Sequence, residues 1–161
     1  MKPERQREIV RRLLALHDQK STELAPEPLR NPAGDYTSPE QFQRGDHVPV
    51  MDGKAVFKMA TTRMIEVATE VMKRNNVTVS DLSLVLMHQA NMRINEYSAK
   101  QLGVPPEKVI HNIERYGNTT AAAIPLLYDE AARTGRIKEG DLILTVAFGA
   151  GMNWGASLMR A

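Results

Sequence analysis

Behind Pro3, a residue suited to the first turn of a helix, Ile9, Leu13 and Leu16 repeat at helical spacing, which predicts an amphipathic helix over residues 4–18. Its apolar stripe faces either the body of this chain or a partner, and the sequence does not separate the two. From Ser21 to Val50 no period persists. Pro26, Pro28, Pro32, Pro39 and Pro49, with Gly34 and Gly45, read as a long irregular connection. Connections above about 15 residues are uncommon inside compact domains, so a functional cover or a segment draped on another surface is expected there.

The pattern sharpens beyond Met51. Val56, Met59, Ala60, Met64, Val67, Ala68, Val71 and Met72 recur three and four apart, predicting a long amphipathic helix from Ala55 to Arg74 that Asn75-Asn76 ends. Ser80 and Asp81 can cap a short turn, and the apolar run from Leu82 to Met87 suits a buried strand leading into His88. Asn91 to Leu102 reads as a helix closed by Gly103, and Val109-Ile110 as a short strand. Thr119 to Thr134 reads as a helix ended by Gly135, in which Pro125 is tolerable only near the first turns. Leu142 to Phe148 lacks alternation, as a strand covered on both faces does, and the Gly149-Ala150-Gly151 turn leads into a last strand, Asn153 to Met159. This order predicts a layered α/β domain with a mixed sheet whose final pair is an antiparallel hairpin.

Composition narrows the chemistry. The 161 residues hold no cysteine and four histidines, which excludes disulfides, thiolate metal sites and a cysteine nucleophile on this chain. A net charge of +2 with 5% aromatics lacks the broad basic, stacking surface of a nucleic-acid binder. No apolar run approaches the roughly 18 residues of a membrane span. Arg11 and Arg12 interrupt the first apolar cluster, so no secretory signal is read and a cytoplasmic chain is expected. The basic excess is local: residues 1–20 carry six basic and three acidic side chains.

Three segments place polar groups or glycines at strand ends: His88-Gln89-Ala90-Asn91, Tyr116-Gly117-Asn118-Thr119-Thr120 and Phe148-Gly149-Ala150-Gly151. Ligands of open α/β sheets bind outside the carboxyl ends of strands, so all three could face one crevice. Singly, each has a bland alternative: His88 as a structural hydrogen-bonder, Asn118 as a helix N-cap, the glycine turn as a simple hairpin. Gly149-Ala150-Gly151 leads into a strand, unlike a dinucleotide loop. His88 and His111 lack zinc-helix spacing, His17 and His47 lack companion ligands, and no serine sits in a nucleophile elbow.

Together the segments resemble the 3-oxoacyl-acyl carrier protein synthase III family of thiolase-fold condensing enzymes. The likeness runs from about Met51 to Arg160, through Met51-Asp52-Gly53-Lys54-Ala55-Val56-Phe57-Lys58, His88-Gln89-Ala90-Asn91-Met92-Arg93-Ile94, Glu114-Arg115-Tyr116-Gly117-Asn118-Thr119-Thr120-Ala121-Ala122 and Ala147-Phe148-Gly149-Ala150-Gly151-Met152-Asn153-Trp154-Gly155. The resemblance implies the C-terminal half of the thiolase fold, whose two halves normally share one chain and whose N-terminal half carries the family's cysteine; with no cysteine here, that half is expected on another chain. A hetero-oligomer is then expected, and the resemblance implies acyl thioesters of coenzyme A or acyl carrier protein as substrates, with no tightly bound cofactor; no metal is expected.

Residue by residue, the resemblance implies that His88 and Asn118 form an oxyanion hole for a thioester enolate. The backbone N–H of Ala150 matches a donor of the second oxyanion hole. Phe57, Ala90, Asn91 and Arg93 match positions lining the pantetheine tunnel, and Lys58, Arg93 and Lys100 match basic positions where an acidic carrier protein docks. Lys54 departs from the asparagine often found at its position, and the helix over residues 4–18 has no counterpart expected there. Three other readings stay open: a non-catalytic scaffolding subunit of a condensing enzyme, a cysteine-independent malonyl-thioester decarboxylase, and a piece of a longer condensing enzyme.

Overall fold

The computed structural model describes residues 39–44 and 51–161, so the helix expected over residues 4–18 lies outside the described residues. Within the span read as irregular, Pro39–Arg44 forms a six-residue helix, α1, with Pro39 in its first turn and Arg44 in its last. The long helix α2, Gly53–Arg74, begins two residues earlier than its apolar stripe because Asp52 caps it, its Oδ1 accepting from the N–H groups of Lys54 at 3.0 Å and Ala55 at 3.1 Å. Asn75 closes α2, and Asn76 follows in the left-handed region at φ +53°.

Three strands form one mixed sheet in the order β1 (Leu84–Met87), β2 (Leu142–Gly149), β3 (Asn153–Arg160). Strands β1 and β2 run parallel with Val85 opposite Leu144 and Met87 opposite Val146; β2 and β3 form the expected antiparallel hairpin with Phe148 opposite Trp154. The strand expected at Val109-Ile110 reduces to a single parallel bridge between Val109 and Val85. Pro106–Lys108 turns tightly just before it, and just after it the N–H groups of Asn112 and Ile113 are taken by the side chain of Gln89.

Helices cover both faces, giving a three-layer arrangement. On one face Ala60, Met64, Ala68 and Met72, four residues apart along α2, pack with Ile94 and Ala99 of α3 (Met92–Leu102) against Val85, Met87, Leu144, Val146 and Phe148. Small alanines alternate with long methionines, so the helix lies close to the sheet while the thioether chains fill the gaps between strands. On the other face Leu84, Leu86 and Ile143 meet Leu127 and Ala131 of a later helix. Each fully buried Leu or Met side chain contributes roughly 1.5–3 kcal/mol in transfer free energy.

That later helix is shorter than the sequence predicts. A four-residue helix not anticipated by periodicity, α4 (Ile113–Tyr116), comes first, then a single tight turn at Thr120–Ala122, and only then α5 (Ala123–Arg133). Thr120 takes φ +53°, which no continuous right-handed helix from Thr119 allows. Pro125 therefore falls at the third residue of α5, where its missing N–H costs no helical bond. Truncating the central strand, Leu144→Ala, is expected to lower stability by about 2–5 kcal/mol in urea unfolding, because Leu144 is fully buried between β1, β3 and the helices.

Candidate active site

Parallel pairing brings the carboxyl ends of β1 and β2 to one edge of the sheet, where His88 follows the Met87–Val146 pair and the Gly149-Ala150-Gly151 turn begins three residues beyond Val146 on β2. The pairing extends one residue past β1, since the His88 N–H donates to the Val146 carbonyl at 2.9 Å. The His88 carbonyl in turn accepts from Nδ2 of Asn95, a side chain only 1% exposed on α3, at 3.1 Å. Both backbone groups of His88 are thus fixed, and its ring lines a small cavity of about 50 Å³ with Val56, Ala60, Met64, Ile94 and Phe148 around it. Those apolar walls penalise the imidazolium, so burial lowers the His88 pKa from its ordinary value and keeps the ring neutral at neutral pH.

Asn118 stands exposed on the loop between α4 and α5. Its Oδ1 accepts from the Thr120 N–H at 2.9 Å, a capping-type bond two residues ahead. That bond fixes which way the carboxamide points: the oxygen is engaged in the chain, and the NH₂ group makes no hydrogen bond among the described residues. Thr120, the donor of this bond, holds a left-handed backbone conformation, at a cost of about 1–2 kcal/mol for a β-branched residue.

Two side chains anchor the base of the Asn118 loop, and the sequence pattern singled out neither. Gln89, fully buried, donates from Nε2 to the Met87 carbonyl at 2.8 Å and accepts at Oε1 from Asn112 N–H at 3.1 Å and Ile113 N–H at 3.2 Å. Glu130 of α5 accepts from Asn112 Nδ2 at 3.0 Å, from Tyr116 Oη at 3.0 Å and from Arg115. Its carboxyl is held below the usual range, first by the Asn112 amide and then by Tyr116 and Arg115. A polar residue two places past an apolar run predicts exposure, so nothing in the local pattern announced the burial of Gln89.

The hairpin turn spans Ala150, Gly151 and Met152 between the paired Gly149 and Asn153, and Asn153 Nδ2 closes it on the Ala150 carbonyl at 3.1 Å. Gly151 sits at φ +75°, where a Cβ would lie 3.0 Å from Asn153 Nδ2. Ala90 and Asn91 line the His88 cavity, and Asn91 also caps α3 through the Arg93 N–H at 3.0 Å. Phe57 stands outside that cavity and meets Tyr97 of α3 edge-on at 6.1 Å; its neighbour Val56 faces His88 instead. Lys58 on α2, and Arg93 and Lys100 on α3, are all exposed, the latter two roughly 10 Å apart along the helix axis. A larger open concavity of about 580 Å³ lies around α5, lined by Arg115, Tyr116, Leu126 and Glu130, and includes neither His88 nor Asn118. Among the described residues no three His, Asp or Glu side chains converge as metal ligands, and no helix is long and apolar enough to cross a membrane.

Residues 72–161 match the family model described as 3-Oxoacyl-[acyl-carrier-protein (ACP)] synthase III C terminal. The β-ketoacyl-[acyl-carrier-protein] synthase III of Rhodopirellula baltica is 54% identical over 110 residues, which are 68% of this chain and 32% of that protein. The enzyme of the same name from Symbiobacterium thermophilum is 44% identical over 135 residues, 82% of this chain and 41% of that protein. The crystal structure of 3-oxoacyl-[acyl-carrier-protein] synthase III from Aquifex aeolicus superposes with a TM-score of 0.68 at 47% identity, over 70% of this chain and 36% of that one. This chain thus spans about a third to two-fifths of the length of the relatives it matches. With the strand-end histidine, the asparagine loop and the glycine hairpin arranged as described, the chain belongs to the 3-oxoacyl-[acyl-carrier-protein] synthase III family, of which it carries the C-terminal, thiolase-fold portion.

Proposed function

We propose that this chain is the C-terminal half of a ketoacyl synthase III-like condensing enzyme and works with a partner chain that supplies the nucleophilic cysteine it lacks. The observation that carries this reading is the pair of N–H donors: a neutral imidazole at the end of β1 and, on the loop after α4, a carboxamide whose oxygen is engaged by Thr120 and whose NH₂ is left to donate. An anion is stabilised most by donors fixed before the charge develops, in surroundings that exclude water.

In this reaction a malonyl thioester of coenzyme A or acyl carrier protein loses carbon dioxide. The electron pair of the broken carbon–carbon bond moves into an enolate, whose oxygen accepts hydrogen bonds from His88 and Asn118. The enolate carbon attacks the acyl group held on the partner's cysteine. The oxyanion so formed accepts from the Ala150 N–H, and its collapse expels the cysteine thiolate and releases a 3-oxoacyl thioester. Thioesters enter as substrates, along Phe57, Ala90, Asn91 and Arg93, and no tightly bound cofactor takes part. Lys58, Arg93 and Lys100 supply positive charge on α2 and α3 for an acidic carrier protein, in a soluble cytoplasmic hetero-oligomer.

Native mass spectrometry of this chain from its own cell extract tests the assembly: a complex with a cysteine-bearing chain of roughly 150–200 residues is expected. A lone chain or a homo-oligomer would overturn the partner-supplied cysteine. In the reconstituted complex, His88→Ala and Asn118→Ala are each expected to slow carbon dioxide release from a malonyl thioester by about 100- to 1,000-fold, and an unchanged rate would remove that residue from the oxyanion hole.

Burial of His88 also has a signed pH consequence. Its folded pKa lies below 6.5, so between the two values the unfolded chain binds the additional proton and stability rises with pH. An NMR titration of the His88 ring is expected to show a midpoint below 6.5, and the His88 contribution to stability is full above that pH and lost as pH falls through the window. His111 is shifted in the same direction by burial, so comparison with His88→Gln isolates the His88 share in urea unfolding.

A further inference from the structure

Resting on the proposed enolate chemistry, we infer that Gln89 is a positioning residue that sets Asn118 relative to His88. A carboxamide excluded from water is costly unless its polar atoms are matched, and Gln89 is fully buried. Its matches are all main-chain groups on two distant segments. One N–H goes to the Met87 carbonyl in β1, and both lone pairs of Oε1 go to the N–H groups of Asn112 and Ile113, 23 and 24 residues further along the chain.

The placement explains why a side chain makes this link. Beyond the single Val85–Val109 bridge, the chain on this side of β1 leaves the strand path, so backbone pairing cannot continue. Gln89 joins the two segments there with its own amide. A shorter asparagine would not reach both segments, and a methionine of similar length would leave the Asn112 and Ile113 N–H groups without their acceptor.

The coupling to the site is direct in sequence. Gln89 is bonded covalently to His88, and Ile113 opens α4, whose end lies two residues before Asn118. The other anchor of this loop, Glu130, binds through the exposed side chains of Arg115 and Tyr116 as well as Asn112. Gln89 is the fully buried link between the strand end that carries His88 and the loop that carries Asn118. Two donors that must meet one developing charge lose their effect when one moves by about 1 Å, and such misplacement can cost on the order of 100-fold in rate.

The test begins with amide hydrogen exchange by NMR on the full chain, which needs no partner and no activity. In the wild type, the Asn112 and Ile113 amides are expected to exchange as slowly as those inside β2; exchange at the rate of exposed amides would overturn the proposal whether or not any variant folds. In Gln89→Met these two amides are expected to exchange at least about tenfold faster and the Asn118 side-chain resonances to shift, with β2 amides unchanged. A folded Gln89→Met with both signals at wild-type values would also overturn it. Gln89→Glu, which keeps the acceptor, is expected to restore the Asn118 resonances towards wild type; equal displacement in both variants counts against positioning. In the reconstituted complex Gln89→Met is expected to lower kcat for decarboxylation about 100-fold with KM little changed. Wild-type complex without decarboxylation would instead refute the enolate reading, while the exchange rates decide separately whether Gln89 holds the loop.

Discussion

The parallel pairing of β1 with β2 is the constraint on which the rest of this structure depends. A parallel pair aligns carboxyl ends, so whatever follows each strand must emerge at the same edge. Here a histidine follows one strand and a tight glycine hairpin follows the other. The last bond of the ladder, from His88 N–H to the Val146 carbonyl, belongs to the site as much as to the sheet. The helices serve this pairing by covering it: α2 and α3 close one face and α5 the other, and the fully buried strand backbone is left no solvent to bond with instead.

The same packing that holds the sheet sets the electrostatics at its edge. Ala60 and Met64 belong to the α2 stripe that packs into the core on this face of the sheet, and they also wall the cavity around His88. An imidazole in that wall is kept neutral, and a neutral ring retains both a donor and an acceptor where the charged form has only donors. Core packing and chemistry are therefore not separable at this end of the molecule.

Much of the fold was legible because its elements announce themselves by period. The i, i+4 stripe of α2, the unbroken apolar run of β2 and the Asn91 and Gly103 boundaries of α3 are local signals that tertiary context left intact. The illegible parts are those made by long-range bonds. Helix α4 is four residues long with no period to read, and its first amides are held by Gln89 from another segment. The expected strand at Val109-Ile110 gave way to one bridge for the same reason, and the start of α5 moved because Thr120 adopts a conformation its residue type does not advertise. At the site, His88 and the glycine hairpin were readable from the way apolar runs stop. That Val56 of α2 reaches the His88 cavity was not, since a helical stripe shows which residues turn inward and not which of them meet a strand end.

The bond from Thr120 N–H to Asn118 Oδ1 gives the two ends of one side chain different employments. The oxygen is a fastening, and in the proposed reaction the nitrogen is a tool. Aspartate would keep the fastening and replace the tool with an acceptor; serine or threonine would have to perform both tasks with a single atom; glutamine would carry the tool one methylene too far. Under the proposed chemistry the vocabulary open to this position thus narrows sharply, and it does so because of a turn in the main chain rather than any crowding around it.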